Sequence, residues 1–513
     1  MLDNQPTTIR EKLAQLMFVR IGSNLPPVVT ADEDVARVEE LLSELPLGGL
    51  ILFNGRRKET SATLAQLQSK SEFPLLVGAD IERGVGQQVL GHAVFPHAMA
   101  FDASGPEAVP LAREFAQVTA QMARANGIHI AFAPVADVNS EPKNPIIATR
   151  AFGNTPDRAA ELVAASIESA QAAGLLTTAK HFPGHGDTKD DSHSDLPLVE
   201  KSREELEACE LVPFRAAIEQ QVALIMTAHV QYSQLDSSGN PATLSSNILT
   251  EILRNELNYK GVIVSDSLLM EGVKQQTDNE GDLAIAAINA GVDLLLDVAD
   301  PVATLASLEK AVSAGQLQAD RVEEAFDRVW NLKRMVFEGN TPRSSNPEEG
   351  EEAAIQLAER AARGAVTVVN NTEGMLPLSK EKSLLAVLLK PFTTSLDDQE
   401  QPLASALRSR FDAVNYFELG PESDEALTAK ILKQAESAEQ VLVAMIVKPA
   451  AWHRFGLSEE HATLTKALLM NPNCVLVSLG TREAFDPFPE AKVQICTFSD
   501  VPVSQRALVE ALV

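Results

Sequence analysis

The 513-residue sequence is poor in cysteine and in basic residues. Its three cysteines, Cys209, Cys474 and Cys496, are scattered over the chain. No pair has metal-ligand spacing, and an odd, sparse count gives no disulfide framework. Lys plus Arg number 43 against 71 Asp plus Glu, a formal net charge of −28 at pH 7. Phosphate backbones and anionic lipid surfaces are repelled by such a chain, so neither nucleic acid nor a membrane is an expected partner. No window holds about 18 consecutive apolar residues, so no transmembrane helix is expected. A secretory leader needs a basic start and then roughly 7–15 apolar residues. Asp3, Arg10, Glu11 and Lys12 interrupt any such run, and a cytoplasmic location is the expectation. Short-period repeats and low-complexity tracts are missing too. What is present is 45% hydrophobic and 22% charged residues, the composition of a soluble globular protein.

The first part of the chain holds eight apolar runs of strand length: LMFVRI (16–21), GGLILF (48–53), PLLVGAD (74–80), IAFAPVADV (130–138), LLTTAKHF (175–182), ALIMTAHV (223–230), GVIVSD (261–266) and GVDLLLD (291–297). Helical periodicity separates most of them, as in residues 35–45, 159–174 and 202–221. Apolar strands alternating with amphipathic helices imply a parallel sheet covered on both faces. The fold class expected is α/β, a (β/α)8 TIM-type barrel followed by a smaller α/β sandwich domain; a doubly wound open sheet is the alternative. Six runs end in a polar or ionisable residue: Asp80, Asp137, Lys180 with His181, His229, Asp266 and Asp297. In a barrel these ends share one mouth. The polar stretch GNTPRSSNPEEGEE reads as a linker, giving a catalytic domain over 1–338, a linker over 339–352 and a C-terminal α/β domain over 353–513.

Four segments carry chemistry. Residues 180–193, KHFPGHGDTKDDSH, gather three histidines and three aspartates on a Gly/Pro-rich loop after a strand. Asp191 and His193 form a candidate acid/base dyad. His181, His185 and His193 with Asp187 or Asp191 form a candidate zinc site. An ordinary solvated loop is the third reading. In residues 259–272, Asp266 ends a strand expected to be buried, where a carboxylate is costly unless it is used or well bonded. It fits a glycosidase nucleophile, and it equally fits a helix N-cap, as do Ser265 and Ser267. In residues 77–88, Asp80 with Glu82 and Arg83 could grip sugar hydroxyls; a full G-x-G-x-x-G is absent, which disfavours a nucleotide. In residues 144–153, Arg150 follows a strand, as a binding residue or a surface arginine.

These four segments in this order resemble glycoside hydrolase family 3. The loop from Lys180 to His193 matches the K-H-F-P-G-H-G-D-T-x-x-D-S-H form of the family's β-N-acetylglucosaminidase branch. The likeness extends through PVADVNSEPKNPIIATRAFG, IMTAHVQYSQLD, PATLSSNILTEILRNELNYKGVIVSDSLLMEG and, after the linker, GAVTVVNNTEGMLPLSK.

The resemblance implies a retaining exo-β-N-acetylglucosaminidase acting on small glycans with a terminal β-linked GlcNAc, such as muropeptides or chitooligosaccharides, with no metal or cofactor. Asp266 would be the nucleophile, and His193, oriented by Asp191, the general acid/base. Asp80, Arg150, Lys180 and His181 would bind the −1 sugar, with His229 and Met226 lining the pocket. The commoner family pattern D-x-E-G-G-R-V-x-R reads D-I-E-R-G-V-G-Q-Q here. Gln88 stands where a second sugar-binding Arg is usual, and Arg83 is its candidate substitute. A histidine is neutral after giving up its proton and repels an anionic acceptor less than a carboxylate would. The alternatives are therefore a family 3 β-glucosidase, a GlcNAc phosphorylase on the same scaffold, or a glycan-binding protein without catalysis. Trp452, His453 and Arg454 form the one aromatic–basic cluster of the C-terminal part, read as surface before substrate contact.

Overall fold

The computed structural model describes residues 4–189, 196–274, 277, 279–339, 350–393, 400–422, 425–449 and 455–513. The chain forms two compact units. One comprises Met1–Ala93, Ala112–Glu141 and Ala151–Ile355; the other comprises Val94–Leu111, Pro142–Arg150 and Gln356–Val513.

In the first unit, seven strands pair in parallel in chain order: β1 (Phe18–Ile21), β2 (Gly49–Leu52), β3 (Leu76–Ala79), β4 (Ile130–Ala131), β5 (Leu176–Phe182), β6 (Leu224–Thr227) and β7 (Val262–Val264). Every residue of β2, β3, β5, β6 and β7 is buried, as both faces of a helix-covered parallel sheet require. The eighth run makes only isolated parallel bridges, Leu294 to Val264 and Leu295 to Met17. Those bridges close the sheet: Ser265 N donates to Leu294 O (2.9 Å) and Phe18 N to Leu295 O (2.9 Å). The molecule is thus a barrel, not the open doubly wound sheet.

A buried carboxylate fastens the closing segment from below. Asp293 is fully buried and meets three guanidinium groups, those of Arg254, Arg321 (2.7 Å) and Arg328 (3.0 Å); it also accepts from Ile263 N (3.0 Å). Such a charge is tolerated inside only because it is paired and fully hydrogen-bonded.

The helical runs form where the pattern places them, with one difference. Residues 202–221 make two helices, Arg203–Ala208 and Leu211–Glu219. Ser202 and Glu205 close a capping box on the first. Pro213 falls in the first turn of the second, where a missing N–H leaves no bond unmade. The break at Cys209 turns Glu210 inward, where it becomes fully buried.

The second unit carries strands β8 (Thr367–Asn371), β9 (Leu384–Leu389), β10 (Val414–Leu419), β11 (Gln440–Met445), β12 (Cys474–Ser478) and β13 (Val493–Cys496), in sheet order β8-β13-β12-β11-β9-β10. Only β8 is antiparallel to its neighbour. Alternate residues of β9 feed two cores. Leu384, Ala386 and Leu388 pack with Leu403, Leu407, Leu508 and Leu512 of two helices on one face. Leu385, Val387 and Leu389 pack with Ile431, Leu464 and Leu468 of two others. This period of two makes a helix–sheet–helix sandwich.

Candidate active site

At the C-terminal ends of the barrel strands, hydrogen bonds link the polar residues into a chain around the mouth. Lys180, on β5, is buried, and its Nζ lies 2.7 Å from Asp80 Oδ1 and 2.7 Å from Glu82 Oε1. One cation thus joins two carboxylates at the end of β3. The Asp80 side chain keeps 30% of its surface exposed, so it can meet a ligand. Arg83 N donates to Gln87 Oε1 (2.8 Å), and the residue is half-buried. Gln88 is 6% exposed, and its Oε1 accepts from Asn24 Nδ2 (3.0 Å). That bond ties Gln88 to the loop after β1.

Asp137 supports the next two histidines. It is fully buried; Oδ1 accepts from His181 N (3.1 Å) and His185 N (2.7 Å), and Oδ2 sits 2.7 Å from His181 Nδ1. This arrangement orients the His181 ring and places the Nδ1 proton toward Asp137. His185 Nδ1 pairs with Thr188 Oγ1 (2.9 Å).

The loop that follows is fastened at its foot. Tyr232 Oη donates to Gly184 O (2.7 Å); burial pushes this phenol far above its ordinary pKa, so it stays a neutral donor. Lys201 joins Asp187 (3.0 Å) to the buried Glu210 (2.8 Å), and Ser140 Oγ donates to Glu210 Oε1 (3.0 Å). Burial pulls the Lys201 pKa down, but Glu210 and Asp187 outweigh it and hold the ammonium above its ordinary value. Two glycines permit this close fit. Gly184 has φ +133°, and a Cβ there would lie 2.5 Å from Glu210 Cβ. A Cβ on Gly186 would lie 1.6 Å from Val138 O. Asp191 and His193, the acid/base pair read from the sequence, lie outside the described residues. Among the described residues, no three His, Cys, Asp or Glu side chains gather as a metal-binding group.

On the other side of the mouth stands Asp266, half-buried, two residues past β7. Its Oδ1 accepts from Ser267 N (2.7 Å). Ser267 Oγ donates to Asp297 Oδ2 (2.7 Å), and Asp297 is gripped by Arg20 at 3.0 and 2.5 Å. His229 is fully buried; Nε2 donates to Ser267 O (3.0 Å), and Nδ1 lies 2.7 Å from Thr243 Oγ1. Met226, also buried, sits in register between Lys180 and Val264. The next helix begins only at Glu271, so Ser265, Asp266 and Ser267 do not serve as its cap.

Arg150 lies on the Pro142–Arg150 segment of the second compact unit, where its Nη1 donates to Ile146 O (2.9 Å). Trp452, His453 and Arg454 lie outside the described residues. The structure adds Glu82, Asp137, Ser267 and Arg20 to the candidate residues. For the first two a signal existed, as acidic residues at or beside strand ends. For Ser267 and Arg20 nothing local marked them.

A model of the glycosyl hydrolase family 3 N-terminal domain matches residues 8–332. The chain belongs to glycoside hydrolase family 3. Beta-hexosaminidase A of Pseudoalteromonas piscicida is 32% identical over 384 residues, 69% of this chain and 64% of that protein. A beta-hexosaminidase of Tolumonas auensis is 36% identical over 301 residues, 58% of this chain and 89% of that one. The structure of a family 3 β-N-acetylglucosaminidase from Paenibacillus sp. FPU-7 superposes with a TM-score of 0.87 at 30% identity, covering 99% of this chain and 97% of that one. This chain's match thus spans just under two thirds of the Pseudoalteromonas enzyme. As a family 3 member the protein is a glycoside hydrolase, and its barrel mouth is where the family's chemistry has its carboxylates and cation in place.

Proposed function

We propose that this protein is a retaining exo-β-N-acetylglucosaminidase that removes terminal β-linked GlcNAc from small glycans of the muropeptide or chitooligosaccharide type, in the cytoplasm. The observation that carries the reading is Asp266: a carboxylate at the barrel mouth, its Oδ1 anchored by Ser267 N, in the same chain as the loop from Lys180 to His193. The hexosaminidase and β-N-acetylglucosaminidase relatives support the substrate class.

In this mechanism Asp266 attacks the anomeric carbon as the glycosidic C–O bond breaks. His193, protonated beforehand, gives its proton to the departing oxygen, and a glycosyl ester on Asp266 results. Water then attacks the same carbon, His193 takes its proton, and the Asp266 carboxylate is released. Two inversions give net retention. Asp191 orients His193 and raises its pKa toward working pH. Asp80, with Lys180 and Glu82 behind it, and His181, braced by Asp137, hold hydroxyl and other polar groups of the −1 sugar. Arg150 and Arg83 supply further contacts. The C-terminal domain supplies no catalytic group.

The test is the initial rate on an aryl β-N-acetylglucosaminide beside the matching aryl β-glucoside, without phosphate and then with it. Strong preference for the acetamido sugar, with GlcNAc as the product in both buffers, is expected. Equal or reversed preference refutes the substrate assignment, and appearance of the sugar 1-phosphate refutes hydrolysis. Asp266→Ala turning over substrate like the wild type would remove the catalytic reading altogether.

A further inference from the structure

A carboxylate nucleophile works only if one oxygen faces the anomeric carbon while the other is held. For Asp266 the holder is the backbone N–H of Ser267, 2.7 Å from Oδ1. A backbone amide is no firmer than the peptide that carries it, and residues 265–270 form neither helix nor strand. What fixes Ser267 comes from elsewhere on the barrel. Its Oγ donates to Asp297, at the end of the closing segment (2.7 Å), and its carbonyl accepts from His229, past the end of β6 (3.0 Å).

Asp297 is itself an unusual residue. It is 1% exposed, and its φ is +63°, the left-handed region that side-chain-bearing residues enter at a cost. A buried carboxylate in that conformation persists only where its surroundings hold it. Arg20, at the end of β1, does so through two bonds, at 3.0 and 2.5 Å. The Arg20 guanidinium is in turn stacked 4.7 Å over the Phe53 ring. A run of bonds therefore leads from β1 through the closing segment to the residue that anchors Asp266.

We propose that Ser267, Asp297 and Arg20 form a positioning relay that aims the Asp266 carboxylate. The proposal rests on the reading of Asp266 as nucleophile. The relay touches neither sugar nor reacting atoms in this account. It acts only by fixing the Ser267 peptide, so it governs the rate of attack and leaves sugar binding to other residues.

The test is steady-state kinetics on an aryl β-N-acetylglucosaminide. Ser267→Ala keeps the amide and loses the Oγ bond. We expect kcat to fall on the order of tenfold to a hundredfold, as loss of alignment does, with KM within about twofold. Ser267→Thr, which keeps the hydroxyl, should restore most of kcat. Asp297→Asn should lower kcat similarly, and the Ser267→Ala/Asp297→Asn double variant should be no slower than the worse single variant, because both break one relay. Thermal unfolding of Ser267→Ala checks that the fold is kept. The proposal is overturned if Ser267→Ala retains wild-type kcat, if the loss appears in KM alone, or if the two substitutions multiply independently. Asp266→Ala separates the levels. If it is inactive while Ser267→Ala is normal, only the relay fails; if it is active, the reading of the site fails.

Discussion

Replacing Asp137 is the sharpest way to perturb the sugar-binding side without touching the nucleophile. The residue is fully buried and serves three donors: two backbone amides, of His181 and His185, and the His181 ring at Nδ1. In Asp137→Asn the amide oxygen can still accept from the two backbone groups, but its NH2 faces His181 Nδ1. The ring must then take the other tautomer, with its proton on Nε2. Bonds to a charged acceptor contribute about 1.5–3 kcal/mol each and neutral ones about 1, so loss of charge at three contacts weakens the arrangement by roughly 2–4 kcal/mol. If about half of that is felt in the transition state, kcat/KM falls on the order of tenfold to a hundredfold. Asp137→Ala strands all three donors in a dry site and should lose about 5 kcal/mol of stability, a large share of the total. Urea unfolding gives the stability change, and steady-state rates on an aryl β-N-acetylglucosaminide give the activity change. An Asp137→Asn protein that matches the wild type in both refutes the claim that Asp137 sets the His181 tautomer.

Three further outcomes follow from the same geometry. Lys180→Met removes the cation shared by Asp80 and Glu82 and should lower kcat/KM by about 10- to 100-fold; Lys180→Arg should not rescue it, because a planar fork does not reproduce a point charge 2.7 Å from both carboxylates, and full activity of either variant counts against the pairing. Gly186→Ala places a methyl 1.6 Å from Val138 O, so the loop foot must shift; kcat should drop on the order of a hundredfold while the unfolding temperature moves little, and an unchanged kcat would show that the loop tolerates displacement. Lys333 is fully buried between Trp330 and Gln15, and burial holds its amine well below the ordinary 10.5. The folded protein therefore binds fewer protons than the unfolded chain in the interval below 10.5. The stability of the wild type relative to Lys333→Met should rise with pH there, by at most about 1.4 kcal/mol per unit, and level off above it. Denaturant unfolding at several alkaline pH values checks this, and a pH-independent difference contradicts it.

The strand pattern was legible because parallel strands buried on both faces must be apolar throughout, and each of the runs from LMFVRI to GVIVSD contains a strand. Closure was not legible. The run GVDLLLD contributes only two bridges, and its fastening by Asp293 depends on Arg321 and Arg328, 28 and 35 residues away. The polar strand ends were visible as a list, and the structure links all six into hydrogen-bonded groups at the mouth. Their partners were not visible. Asp137 meets His181 and His185 across 44 and 48 residues, and Asp297 meets Arg20 across 277. Periodicity carries no information at such separations. The 202–221 stretch shows the reverse case. Its pattern reads as continuous helix, yet a tertiary demand for Glu210 at the loop foot divides it at Cys209.

The central claim is that Asp266 becomes covalently bonded to the sugar. A 5-fluorinated N-acetylglucosaminyl fluoride forms that bond and releases it slowly, because fluorine destabilises both positively charged transition states. Intact-protein mass spectrometry after mixing, followed by peptide mapping, should find one sugar adduct, on Asp266, and none on Asp266→Ala. An adduct on another carboxylate, or no adduct together with an inverted anomer as the first product of an aryl β-N-acetylglucosaminide, would contradict the account.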